Sequence, residues 1–149
     1  MNNITIIKIG DLEKINTKAL VAKSLDEGFT FIERLVHEYQ SGENRFDKSG
    51  EILYGAFDRT TIIAIGGLNI DPYAKGAATG RVRHLYVLPE WRKQGIGKAL
   101  VERIIEAARG HFQHLRLRTF NEEAALFYLR IGFQATPDSE SATHTFSLK

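Results

Sequence analysis

The chain contains no cysteine. That absence excludes disulfides, thiolate metal sites and any mechanism that passes through a covalent acyl-cysteine. Long apolar runs are also lacking, so no membrane span is expected. The N-terminus has none of the basic, apolar and small-residue order of a signal peptide, which points to a cytoplasmic location. Charge of one sign is missing as well: 20 basic side chains face 18 acidic ones, and neither an RRM nor a zinc signature occurs. Nucleic acid is therefore not an expected partner, although a pI near 8.9 still suits an anionic ligand. His111, His114 and His144 have no metal-ligand spacing, and no metal is expected. With 43% hydrophobic and 26% charged residues, the 149-residue chain has the composition of a globular protein, and we expect one domain, 1–149, with a real core.

Periodicity orders the chain. "NITIIKI", Asn3 to Ile9, is rich in β-branched residues and predicts a strand. Between Asp11 and Gln40 the apolar period lengthens to that of a helix, with a break at Asp26 to Gly28, which predicts two helices. "ILYGAF" and "TIIAIGGLNI", separated by "DRT", predict a hairpin. A Gly/Ala-rich loop, Asp71 to Gly80, precedes a strand Arg81 to Leu88 that ends at Pro89. A helix follows with Ile96, Leu100, Ile104 and Ala108 on one stripe and its exit at Arg109 and Gly110. "HLRLRTF" predicts a strand, "NEEAALFYLRIGF" an Asn-capped helix ending near Gly132, and "THTFSLK" a last strand. No repeat or linker interrupts this order, so the class is α+β.

Gly95 and Gly97 sit where the long helix should nucleate, each at a cost of about 1 kcal/mol relative to alanine inside a helix. A helix N-terminus carries unpaired N–H groups and about half a positive charge, which attract an anion. Without side chains there, a phosphate could approach the amides closely, with Arg92, Lys93 and Lys98 adding charge. Alternatively the glycines permit a tight entry into the helix or close packing. The P-loop spacing is absent, since Lys98 is followed by Ala99, and Leu100 replaces the third glycine of a dinucleotide fingerprint.

Arg92-Lys93-Gln94-Gly95-Ile96-Gly97, placed after "HLYVLPEW", resembles the [RQ]-x-x-G-x-[GA] motif of the GCN5-related N-acetyltransferases (GNAT). Asn121, Ala124, Phe127, Tyr128, Gly132 and Phe133 match that family's second signature, and the order of elements agrees over essentially the whole chain. The resemblance implies a mixed, mostly antiparallel sheet flanked by helices and splayed between its fourth and fifth strands. It implies acetyl-CoA as the acetyl-donor cosubstrate and an amine acceptor; the terminal strands could form a dimer edge or not, which leaves a monomer or homodimer. The amides of Gln94, Gly95, Ile96, Gly97 and Lys98 would hold the pyrophosphate, with Arg92 and Lys93 nearby. The main chain of Leu85 and Val87 would pair with the pantetheine arm as an added strand does. Asn121 would cap its helix, touch the pantetheine, or both. Tyr128 occupies the family's position for the acid that protonates the departing thiolate; its alternative role is a core aromatic.

Transfer without an acyl-enzyme requires a neutral amine, whereas a lysine-like amine is free only about once in a few thousand molecules at pH 7. Several family members place a glutamate where this chain has Arg81, so the obvious base is missing. His84, Glu33, His37 and Glu38 remain candidates, each with a structural or solvated alternative. Arg81 and Arg83 share strand parity. They would either favour an acceptor bearing a carboxylate or phosphate, or be solvated surface. A non-catalytic acyl-CoA-binding domain is the competing reading.

Overall fold

In the computed structural model, which describes residues 3–76, 78–137 and 139–148, seven strands form one sheet. They are β1 (Ile4–Lys8), β2 (Ile52–Asp58), β3 (Thr61–Ile70), β4 (Thr79–Val87), β5 (His114–Leu117), β6 (Gln134–Ala135) and β7 (His144–Ser147). Four α-helices accompany them: α1 (Lys18–Asp26), α2 (Phe31–Ser41), α3 (Ile96–Ala108) and α4 (Glu122–Ile131). Ala77 of the expected loop and Lys149 of the expected last strand lie outside the described residues. β6 is an addition: two residues are too few to show a period, and the pairing with β7 alone defines it.

The strand order is β1-β2-β3-β4-β5-β7-β6. β3, third in that order, has a nearly continuous apolar run, the pattern of a strand covered on both faces. Every neighbouring pair is antiparallel except β4 and β5. A parallel pair needs a crossover, which α3 supplies. The parallel pairing lasts only from Thr79–His114 to Arg81–Arg116, although β4 continues to Val87. Beyond Arg81 the two strands part, and the expected splay is present.

Side-chain alternation along β4 separates the two helical layers. Leu85 and Val87 face α3: they are near neighbours of the positions where side chains at Gly66 and Gly97 would sit, and Ile104 of α3 borders the first of these. Tyr86 points the other way, its ring 6.1 Å from that of Phe31 on α2. α3 buries Ile96, Leu100, Val101, Ile104, Ile105 and Ala108, each large aliphatic contributing about 1.5–3 kcal/mol of transfer free energy. No helix among the described residues is long and apolar enough to cross a membrane.

Candidate active site

The mouth of the splay begins with an irregularity in β4. Its register with β3 passes from Tyr86 opposite Ile65 to Arg83 opposite Gly67, so His84 and Leu85 together oppose Gly66. This is a β-bulge, and His84 takes a left-handed conformation with φ 61°. A Cβ at Gly66 would stand 3.1 Å from Leu85 Cδ1, so the glycine makes room for the bulge. Beyond it, the Leu88 N–H donates to Ile63 O at 2.9 Å. Leu88 and Ile63 are thus a hydrogen-bonded pair, and Val87, one residue earlier opposite Ala64, turns its main-chain groups away from β3 into the splay. Leu85 has the same parity. The Val87 carbonyl already accepts from Arg92 Nε at 2.9 Å.

The loop after β4 leads into α3 through two left-handed residues, Lys93 at φ 63° and Gly95 at φ 83°. Gly95 is the N-cap, and no side chain caps this helix end. Ala99 is the first residue whose N–H is returned to the chain, to Gly95 O at 3.0 Å. Among the described residues, the preceding amides of Ile96, Gly97 and Lys98 have no acceptor. No acidic residue stands in the first turn. A main chain that alternates between right- and left-handed conformations turns its N–H groups into one concavity suited to anions, and the side chains of Lys93, Gln94 and Lys98 are exposed around it. Ile96 offers only its amide, because its side chain is in the core.

The two glycines prove to serve different ends. Gly95 has nothing within 4 Å of a would-be Cβ but requires positive φ. Gly97 is inside the helix, and its would-be Cβ lies 3.4 Å from Phe127 Cζ and 3.6 Å from Val87 Cγ2. Val87, Gly97 and Phe127 therefore meet at one point, bringing the free edge of β4, the uncapped end of α3 and the middle of α4 together.

Next to Phe127, Tyr128 is 7% exposed and packs edge-on against Phe127 and Phe133, with centroids at 5.1 and 5.4 Å. Burial pushes its phenol well above the ordinary value near 10, so the hydroxyl keeps its proton through the neutral range. Asn121 caps α4: the Ala124 N–H donates to its Oδ1 at 2.9 Å.

Arg92 is not a free cation. Its guanidinium makes two bonds to the Glu27 carboxylate, of 2.8 and 2.6 Å, and lies 5.3 Å from the centroid of the Tyr86 ring. The charge it adds near the start of α3 is therefore shared with Glu27. Arg81 is not solvated surface either. It is buried, 3.5 Å from Asp71 and 2.6 Å from Ser141 O, with Tyr73 stacked at 4.8 Å. Arg83 is half-buried and makes no ion pair among the described residues.

The candidate bases separate. Glu33, Arg34 and His37 are exposed along one face of α2 and, with the N-cap Thr30, line an open surface depression of about 420 Å³, whereas half-buried Glu38 is not part of that lining. Phe31, on another face of the same helical turn, packs against Tyr86 of β4. His84 is 8% exposed, and neither ring nitrogen has a hydrogen-bond partner among the described residues. Burial, aided by the charges of Arg83 and Arg34, lowers its pKa to about 3, against a weaker influence of the Phe31 main chain. A group so hard to protonate is a poor proton acceptor at neutral pH.

Glu27 and Tyr86 escape sequence reading, since nothing local ties residue 27 to residue 92. The bulge had a signal, the glycine pair Gly66–Gly67 inside a strand.

An acetyltransferase (GNAT) domain model matches residues 49–135. Among solved structures, a proposed acetyltransferase from Exiguobacterium sp. 255-15 shares 36% identity over 97% of this chain and 93% of its own, with a TM-score of 0.86. The PaiA N-acetyltransferase from Thermoplasma acidophilum, solved with coenzyme A, has 24% identity over 95% of this chain and 96% of its own, with a TM-score of 0.69. YncA, a proposed acetyltransferase from Salmonella typhimurium solved with acetyl-CoA, has 14% identity over 99% and 95%, with a TM-score of 0.72. The last two likenesses speak to the fold alone. No curated protein matches in sequence. With the uncapped helix end beside a splayed parallel pair, the family match over more than half the chain and the 36% identical relative, this chain belongs to the GNAT acetyltransferase family.

Proposed function

We propose that the chain is an acetyl-CoA-dependent N-acetyltransferase that transfers the acetyl group directly to a primary amine of a small molecule, an amino acid or a protein. The observation that carries this reading is the meeting of Val87, Gly97 and Phe127 at the mouth of the splay. The residues present suit the donor. The unclaimed amides of Ile96, Gly97 and Lys98 would bind its pyrophosphate, with those of Gln94 and Gly95 beside them and the charge of Lys93 and Lys98 around them. The open edge of β4 at Leu85 and Val87 would take the pantetheine arm, Val87 through its N–H, since its carbonyl is engaged. Asn121, committed to its cap, could reach the arm only with its remaining polar atoms.

Acetyl-CoA supplies an acetyl group activated as a thioester. In direct transfer the amine nitrogen bonds to the carbonyl carbon, the C–S bond breaks, and the thiolate leaves with the electron pair. Tyr128, next to Phe127 at the mouth of the splay, is assigned to give that sulfur its proton, and since burial weakens its phenol as an acid, the transfer depends on the hydroxyl being placed against the sulfur. The nitrogen must lose a proton as well, and Glu33 and His37, exposed on one face of α2, are open to solvent where His84 is buried.

The test is release of free thiol from acetyl-CoA across a panel of amines. Acceptor-dependent release supports the enzyme. Coenzyme A binding with no release from any amine favours the acyl-CoA-binding alternative.

A further inference from the structure

Glu27 closes the C-terminal end of α1, and its carboxylate gathers three donors from distant parts of the chain. The Tyr86 hydroxyl donates at 2.5 Å, Arg92 Nη1 at 2.8 Å and Arg92 Nη2 at 2.6 Å. Arg92 is held from two further sides, by its Nε bond to Val87 O and by the Tyr86 ring beneath it. A guanidinium fork matches a carboxylate in two bonds at once, which the point charge of a lysine cannot do.

The location gives the cluster its meaning. Arg92 opens the loop whose left-handed residues, Lys93 and Gly95, set up the amide concavity. Lys93 is not a glycine, and such a conformation persists only where the surroundings over-determine it. Glu27 belongs to the short connection between α1 and α2, three residues before Thr30, the N-cap of α2. One carboxylate thus joins the segment read as the donor's phosphate site to the connection that leads into α2.

We propose that Glu27 is a positioning residue: by fixing Arg92 it presets the Arg92–Gly95 loop for the donor's pyrophosphate, and it couples that loop to the connection before α2. The proposal rests on reading the loop as the acetyl-CoA site. It runs against the simpler idea that Arg92 binds phosphate directly and that Glu27 merely competes for it. The two make opposite predictions for Glu27→Gln, which deletes the charge and keeps the shape.

The experiment is calorimetric titration of the full chain with coenzyme A, for the native protein, E27Q, R92K, R92Q and the double variant E27Q/R92Q. Loss of a charge-assisted pair should weaken coenzyme A about tenfold in E27Q. R92K, which keeps the charge and loses the fork, should behave like E27Q. The double variant should bind about as weakly as R92Q alone, because both changes break one tie. Hydrogen exchange gives a readout that a purely structural role would not move: coenzyme A should slow exchange of amides in residues 24–31 of the native chain and not of E27Q. Unchanged or tighter coenzyme A binding in folded E27Q overturns the proposal and leaves the cofactor reading intact; if E27Q does not fold, native-like affinity in R92K does the same. A native protein that gives no heat with coenzyme A overturns both.

Discussion

Replacing Gly95 and Gly97 separately by alanine divides two explanations that look identical in the motif. At Gly95 the main chain sits at φ 83°, with open space where a Cβ would go. Alanine there meets no clash and pays only for the left-handed conformation, about 1–2 kcal/mol. For a chain of this size that lowers Tm by about 2–8 °C. The loop would relax toward negative φ, the amides ahead of α3 would lose their common direction, and coenzyme A affinity should fall at least about tenfold. At Gly97 the residue is already helical, and an added methyl would rest 3.4 Å from Phe127 Cζ and 3.6 Å from Val87 Cγ2. Alanine should gain up to about 1 kcal/mol of helix propensity, raising Tm by about 2–4 °C, while coenzyme A binding changes little. Differential scanning fluorimetry and calorimetry with coenzyme A read both quantities on the same samples. The reasoning is refuted if Gly95→Ala loses stability but binds coenzyme A as before, or if Gly97→Ala is the variant that loses binding.

Tyr128→Phe keeps the ring packing and removes the hydroxyl, so turnover should drop about 10²-fold or more, with coenzyme A affinity within about twofold; equal turnover in an acetyl-transfer assay removes the acid role. His84 carries a pH prediction. Its folded pKa of about 3 lies below its unfolded value of 6.5, so the unfolded chain binds the proton first. The neutral buried ring costs no stability above pH 6.5, and stability falls by about 1.4 kcal/mol per unit as the pH drops from 6.5 toward 3. His84→Asn, which tolerates the left-handed backbone, should flatten that slope in urea titrations between pH 6.5 and 4; an unaltered slope rejects the assignment. Asp71→Ala strands the Arg81 guanidinium in a buried setting and should cost about 3–5 kcal/mol in chemical denaturation, whereas a loss under about 1 kcal/mol would mean that Ser141 O and the Tyr73 ring suffice for Arg81.

Much of this architecture was written locally. The apolar stripe from Ile96 to Ala108, the Asn121 cap, the doubly covered run of β3 and the loop-to-helix motif each depend on neighbours a few residues apart, and short-range periodicity and capping chemistry expose them. The cofactor-site residues named from the sequence lie in or beside the β4 end, the α3 start and α4 for that reason. Arg92 and Arg81 show the converse. Both read as available positive charge, yet Glu27 lies 65 residues from Arg92 and Ser141 lies 60 residues from Arg81. No local pattern encodes which carboxylate or carbonyl the fold delivers to a guanidinium.

By itself, then, the sequence determined the elements, their order and the place where an anion could meet bare amides, because helix period, strand alternation and glycine's backbone freedom act over a few residues. Only the tertiary structure decided which of those groups remain free to act. The parting of β4 from β5 opens a strand edge, the bulge at His84 swallows a potential base, and long-range pairing consumes two of the arginines. Such outcomes follow from which surfaces are pressed together, a property of packing at a distance.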